Sequence, residues 1–301
     1  MAVPEPRIED IARHEAFRRR VTPWGVIWRF CRAKPLGAAG GLLVLLLIAI
    51  ALLASYIAPY PPNEMHIVDR LSGPGGKYLL GTDEFGRDQL SRIIHGAWVS
   101  LKVGLIAVGI GVGFGTAIGV ISGYFKGWMD MVIQRCMDSL MAFPGLVLAM
   151  VLIAAMGKSI TNVMIAIGIT FVPMVCRVAR ASVLSVSENQ YIEAAKAIGV
   201  PVHRMLALHI LPNVAAPLII IATAGLGSAI LTEAGLSFLG LGTPPPAPSW
   251  GGMLTSSAGT MQRTSPWLTL YPGIAITLAV LGFNLLGDAL RDVWDPRLRG
   301  T

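Results

Sequence analysis

The sequence predicts an all-α, polytopic membrane protein with six transmembrane helices, and three observations lead there. Of its 301 residues, 54% are hydrophobic and only 14% charged, with a mean hydropathy of +0.64, too apolar a balance for an ordinary soluble domain. Charge is absent from long segments: Pro35 to Asn63, Val103 to Phe125, Ser139 to Gly157, Ser159 to Cys176, Met205 to Thr232, Ala234 to Gln262 and Thr264 to Gly287. All but the proline-broken Ala234 to Gln262 contain, or nearly contain, the roughly 20 apolar residues that a helix needs to cross the hydrocarbon. Finally, eight of the 24 Lys and Arg lie between Arg7 and Lys34, just ahead of the first apolar run. Positive-inside bias and anionic lipid account for that cluster and for much of the net charge of +7, so no nucleic-acid partner is called for.

In chain order, residues 1–35 form a basic cytoplasmic tail and 36–57 the first span. Residues 58–97 form an external loop, irregular around Pro59, Pro61, Pro62 and Gly73-Pro74-Gly75-Gly76, followed by an interfacial helix. That helix is marked by Leu90, Ile93, Ile94, Trp98 and Leu101 at helical spacing. Asp83 and Glu84 read as an acidic first turn favoured by the helix dipole. The core, 98–290, holds five more spans. In the second, about Val103 to Tyr124, Gly111, Gly115, Gly119 and Gly123 form a flat ridge that lets a neighbouring helix approach closely. The third covers about Trp128 to Met156, with Pro144 kinking or restarting it. Its Arg135 and Asp138, one turn apart, read as an internal ion pair. The fourth, Thr161 to Leu184, ends with Arg177 and Arg180 snorkelling to the inner face. The fifth, Val214 to Leu239, carries Glu233 near its outer end. After a proline-rich external return with a short helix beyond Trp250, the sixth runs to about Leu290 and includes Asn284. Residues 291–301 form a cytoplasmic tail. Arg135, Asp138, Glu233 and Asn284 are the candidates for polar pathway or structural positions.

Between the fourth and fifth spans, 187–213 is a polar helix-turn-helix on the cytoplasmic side. Ser187 and Gln190 have capping-box spacing, so a helix is expected from Glu188 to Ile198, ended by Gly199 in the left-handed conformation and by Pro201. Tyr191, Ala194, Ala195 and Ile198 fall on one face, with Glu193 at its edge. Pro201 starts a second helix, which Pro212 interrupts. Physical chemistry alone leaves two readings open here: a gripping device, or a linker helix lying on the lipid surface. Neither Gly76-Lys77 nor Gly157-Lys158-Ser159 completes a phosphate-binding loop, since Leu71 and Leu152 stand where the leading glycine belongs. Cys31, Cys136 and Cys176 are far apart and the five histidines are scattered, which indicates neither disulfides nor a metal site. A cleavable signal peptide is not expected.

Glu193-Ala194-Ala195, Gly199 six residues after the glutamate, and Leu211-Pro212 resemble the EAA loop of permease subunits in ATP-binding-cassette importers. The general pattern has Ile two residues before the leucine, where this chain has His209. The variant His209-Ile-Leu-Pro-Asn213 is similar to the dipeptide, oligopeptide and nickel branch. So are Leu80 to Arg92, Leu236 to Gly242 leading into Pro248-Ser-Trp-Gly251, and Asp288 to Arg297, which look like that branch's second permease. The resemblance implies a type I importer permease fold. It also implies a cytoplasmic coupling helix that docks on an ATPase through Tyr191, Glu193, Ala194, Ala195, Lys196, Ile198, Gly199 and Pro212. The implied partners are a second, homologous permease in an expected heterodimer, two ATPases that bind ATP and Mg, an extracytoplasmic solute-binding protein and the bacterial inner membrane. This chain itself would be non-catalytic and hold no cofactor. The competing readings are a proton-coupled secondary transporter using Asp138 or Glu233, and a membrane anchor with no transport role.

Overall fold

A computed structural model describes residues 30–256 and 265–294. The expected basic tail before Phe30, and the Asp295 to Arg297 part of the last motif, lie outside the described residues. Regular structure among the described residues is helical, apart from one isolated bridge between Thr82 and Asp88. The main helices are α1 (Pro35–Leu52), α2 (Gln89–Phe125), α3 (Gly127–Met141), α4 (Gly145–Met156), α5 (Ile160–Ser187), α6 (Gln190–Ala197), α7 (Leu211–Phe238), α8 (Trp250–Ser256) and α9 (Trp267–Trp294). Five helical segments are long and apolar enough to cross a membrane, and a sixth is counted if α3 and α4, bent by 90° at Ala142–Pro144, are one span.

One helix boundary differs from the sequence expectation, and at another the structure decides between the two outcomes expected, each for a physical reason. The interfacial helix and the second span are one unbroken helix, α2, of 37 residues. At 1.5 Å per residue it is roughly 55 Å long, well beyond the hydrocarbon thickness, so its amphipathic first turns project while the apolar remainder crosses. The third span does not merely kink. Pro144 has no N–H to donate and holds a φ of −54° and ψ of 131° as it caps α4, so the helix stops and restarts.

Apolar burial gives helices no drive to associate in lipid, so close backbone approach and dispersion must hold the bundle. The ridge on α2 provides it. A Cβ placed on Gly111, Gly115, Gly119 or Gly123 would lie 2.7 Å from Phe171 Cδ1, 2.6 Å from Val175 Cβ, 2.4 Å from the Cys176 carbonyl oxygen and 3.0 Å from the Arg180 carbonyl oxygen, respectively. The same order along both helices shows that α2 and α5 run parallel. Gly168 of α5 returns the contact, facing Ile110 at 2.7 Å. On the other side, α1 packs on α9 through Gly37 against Ala289 and Gly40 against Leu285. α7 lies between these pairs, sharing Ile230 with the α1–α9 core and Leu236 with the α2–α5 core.

At the end of the bundle remote from α6, the loop before α2 is fastened by carboxylates. Asp83 is not in a helical first turn: it accepts from the backbone N–H of Phe85 (2.9 Å) and Arg87 (3.0 Å) and from Arg87 Nε (2.7 Å). Asp88 is the residue that caps α2, accepting from Ser91 N at 2.8 Å. Asp69 in the same loop is held below the usual carboxylate range by hydrogen bonds from Lys77 and then from Tyr78. Glu233 lies near the end of α7, as the sequence placed it, but does not face the surroundings. It is fully buried, and Ser237 Oγ donates to its Oε1 at 2.7 Å and accepts from Thr243 N at 3.2 Å. That pair holds the loop leading to α8, and Trp250 Nε1 then donates to Ile93 O of α2 at 2.9 Å.

Substituting Gly119→Leu will separate α2 from α5 and lower the thermal midpoint of the purified protein in detergent, at a cost of about 1–3 kcal/mol from overpacking. Gly113→Leu, where a Cβ meets nothing within 4 Å, will leave the midpoint unchanged in the same melt.

Candidate functional site

The chain between α5 and α7 folds as a short helix set on a buried root. Ser187 is not an N-cap: it is the last residue of α5, and its hydroxyl finds no partner among the described residues. After Glu188 and Asn189, α6 starts at Gln190 rather than Glu188 and stops at Ala197. Gly199, at φ +76°, ends it. The Gly199 N–H reaches Lys196 O at 3.0 Å and the Val200 N–H reaches Ala195 O at 3.1 Å, the paired bonds of a Schellman termination. Val202–Arg204 makes one α turn, Met205–Ile210 a π-helical turn, and the chain runs on into α7. Pro212 therefore interrupts nothing. It lies in the first turn of α7, where its missing N–H costs least.

The helix has two faces. Ile192 (0% exposed) and Ala195 (7%) turn inward and pack with Val120, Val183, Met205, Ile210 and Val214. Ala195 thus belongs to the root, not to the outward face expected for it. Burying Ile192 stabilises this seat by about 1.5–3 kcal/mol. Tyr191, Glu193, Ala194, Lys196 and Ile198 are all exposed, Ile198 at 82%. Two contacts brace the exposed side: Asn213 Nδ2 donates to Tyr191 OH at 3.2 Å, and Lys196 Nζ sits 5.7 Å above the Tyr124 ring. The outward face carries a carboxylate, small residues that permit close approach, and a large apolar side chain with nothing over it.

The other candidates lie elsewhere. Asp138 does not pair with Arg135. Arg177 Nη2 of α5 reaches Asp138 Oδ1 at 2.6 Å, because α5 packs alongside α3, and Arg135 is exposed. Arg180 does not snorkel freely either. It makes a two-pronged bond to Asp130, at 2.6 Å from Nε and 2.5 Å from Nη2. Sequence reading missed Asp130, although its separation from Asp138 by two helical turns was visible. Asn284 is exposed on α9 beside Gly227 of α7. Next to α6, a groove of about 760 Å³ between α2 and the start of α7 is lined by apolar side chains with Thr116 and His203. No group of three or more potential metal ligands occurs among the described residues.

Residues 115–300 match the family described as binding-protein-dependent transport system inner membrane component. Residues 22–74 match the N-terminal transmembrane domain of oligopeptide transport permease C. A dipeptide transport system permease protein of Alkalihalophilus pseudofirmus is 43% identical over 93% of this chain and 91% of its own length. The chain belongs to the binding-protein-dependent transport permeases. A glutathione transport system permease protein of Pectobacterium atrosepticum is 42% identical over 92% of each chain. The permease also shares its fold with the MetNI methionine ABC transporter. That match has a TM-score of 0.54 at 15% identity and covers 67% of this chain and 97% of the other. It supports the type I importer fold. The family makes the permease a multi-pass transport component of the bacterial inner membrane.

Ile192→Ala will open a cavity under α6 and destabilise its seat by about 2–5 kcal/mol, read as faster proteolysis between Ser187 and Pro201. Ile198→Ala, on the opposite face, will leave the digestion rate at the parent value.

Proposed function

We propose that this permease is the membrane subunit through which ATP-driven closure of partner ATPases opens and shuts a path for dipeptides, oligopeptides or a related small peptide such as glutathione. The observation that carries the proposal is the division of α6 into a buried root and an uncovered face. Ile192 and Ala195 join it to α5 and α7, while Glu193, Ala194 and Ile198 stand clear. A helix so rooted transmits force to two spanning helices. A helix so exposed has a surface for a partner to grip, where a charge-assisted bond from Glu193 would contribute on the order of 1.5–3 kcal/mol. Docking at α6 puts that end, and with it both termini, in the cytoplasm, as the basic N-terminal residues favour. The remaining assembly would be a second, homologous permease, two ATPases holding ATP and Mg, and an extracytoplasmic binding protein that selects the solute. The permease would perform no chemistry of its own.

A proton-coupled secondary transporter finds no support. Asp138 is paired with an arginine, and the curated relatives named above are subunits of dipeptide and glutathione transport systems.

Glu193→Ala and Gly199→Pro test the coupling role. Proline fixes φ near −65° and cannot occupy the +76° of Gly199. In vesicles carrying the complete transporter, each variant will insert at parental levels, and peptide uptake will fall at least about tenfold, equal to some 1.4 kcal/mol of lost coupling. Parental uptake by the double variant would refute the proposal.

A further inference from the structure

α3 is held in place differently from its neighbours. Only Met137 of its side chains is buried, in a small cluster with Val172 and Cys176 of α5. Ile133 and Leu140 pack half-buried against the same cluster, and the remaining attachments are polar. Asp130 Oδ1 accepts from Ser122 Oγ of α2 at 2.5 Å and from Arg180 Nε at 2.6 Å, and its Oδ2 accepts from Arg180 Nη2 at 2.5 Å. Gln134 Nε2 donates to the same Ser122 Oγ at 2.9 Å. Two turns further along, Asp138 accepts from Arg177. Both arginines lie in the last three turns of α5, and only Glu188 and Asn189 separate α5 from α6. That link is itself taut: Asn189 N and Nδ2 both donate to Val186 O, at 3.1 and 3.0 Å. At its other end α3 breaks by 90° from α4, which packs through Ala149 and Ile153 against Val163 and Ile167 in the first turns of α5.

We infer that the Asp130–Arg180 and Asp138–Arg177 pairs are positioning residues for transport. They tie α3 to the end of α5, so that a displacement of α6 carries α3 along with the end of α5. The inference rests on α6 being the coupling element. Two-pronged arginine–carboxylate bonds fix direction as well as distance. A charged pair at the edge of apolar helices is dear to separate, so the partners move together. Apolar contacts, by contrast, would let α3 slide, since lipid competes for them equally well. Asp130–Arg180 is the principal tie, with side chains 15% and 32% exposed, and the half-exposed Asp138–Arg177 is the second.

The test is made on the complete transporter in proteoliposomes, with peptide uptake and ATP hydrolysis read from the same preparation. The variant D130N/R180Q removes both charges without leaving either alone. It is expected to co-purify with its partners and hydrolyse ATP within about twofold of the parent, while peptide moved per ATP falls at least about fivefold, the low end of ordinary coupling energies. The exchange D130R/R180D should restore much of that ratio. R180K, which keeps the charge but loses the second prong, should fall between neutral variant and parent. An unchanged ratio in D130N/R180Q would overturn the inference, as would uptake and hydrolysis falling in equal proportion. Failure of both D130N/R180Q and R180K to assemble would assign the pairs to folding alone and overturn it too. Failure of the coupling reading itself is distinguishable, because the parent protein would then show no ATP-dependent uptake.

Discussion

The contact on which the rest depends is the approach of α2 to α5 along Gly111, Gly115, Gly119 and Gly123. In lipid, two apolar helices gain nothing from leaving solvent, so they stay together only where their backbones come close enough for dispersion and carbonyl contacts to exceed what lipid offers. The ridge brings Cys176 O and Ala179 Cβ to within 2.8 Å of a Cβ position on Gly119. Everything at the α6 end inherits its placement from that contact. It sets Ser122 beside Asp130, aligns Arg180 with the first turn of α3, and puts Val120 and Val183 side by side to receive Ile192.

The seating of α6 resolves a conflict between anchorage and availability. In the proposed coupling role, the helix must be firm enough to transmit force and bare enough to be gripped. Eight residues make little more than two turns, and a helix that short has marginal stability alone in water. Its persistence comes from tertiary packing of Ile192 and Ala195, from the Schellman bonds at Gly199 and from the Asn213–Tyr191 bond. Because most of that support is supplied from beneath, Glu193, Ala194 and Ile198 on the outer face carry no stabilising duty. They are the side chains that the proposed docking would use.

Much of this was legible in the sequence, and the misses share a cause. Span number, the glycine ridge, the left-handed Gly199 and the break near Pro144 are local properties, set by spacing and by backbone chemistry. What failed depended on which helix lies beside which. Arg135 and Asp138 have the right separation for an intrahelical pair, but α5 brings Arg177 to the same carboxylate, and a partner across the interface displaces the one along the helix. Glu233 does lie near the end of its helix, but its spacing gave no sign that it would be buried. Its burial follows from Ser237 and Thr243 folding back over it, a contact across a turn that periodicity does not encode. Ala195 likewise shares a helical face with Tyr191 and Ile198 only approximately, and the position of the Val183–Val214 cleft decides that it points inward.

The two ends of the bundle are fastened by bonds of different character, and the difference bears on how such a protein moves. Remote from α6, Asp83 and Arg87 are each 8% exposed, Glu233 is sealed, and Trp250 is pinned to the backbone of α2. Breaking any of these would leave a polar group stranded in a dry setting, so that end resists rearrangement. At the α6 end, Asp130–Arg180 is partly exposed, Asp138–Arg177 is nearly half exposed, and the chain passes through a π-helical turn at Met205–Ile210, a local form frequent at functional sites. These pairs keep α3 with the end of α5 and are not broken when that end moves, and water or headgroups can solvate whatever surface the movement uncovers, so the energetic barrier to shifting α6, α3 and the start of α7 is lower. A force applied at α6 is therefore taken up first by the end that can yield. Under the proposed coupling role, the stiff opposite end would then convert a local shift into a change of angle between helices, which is the motion that alternating access requires.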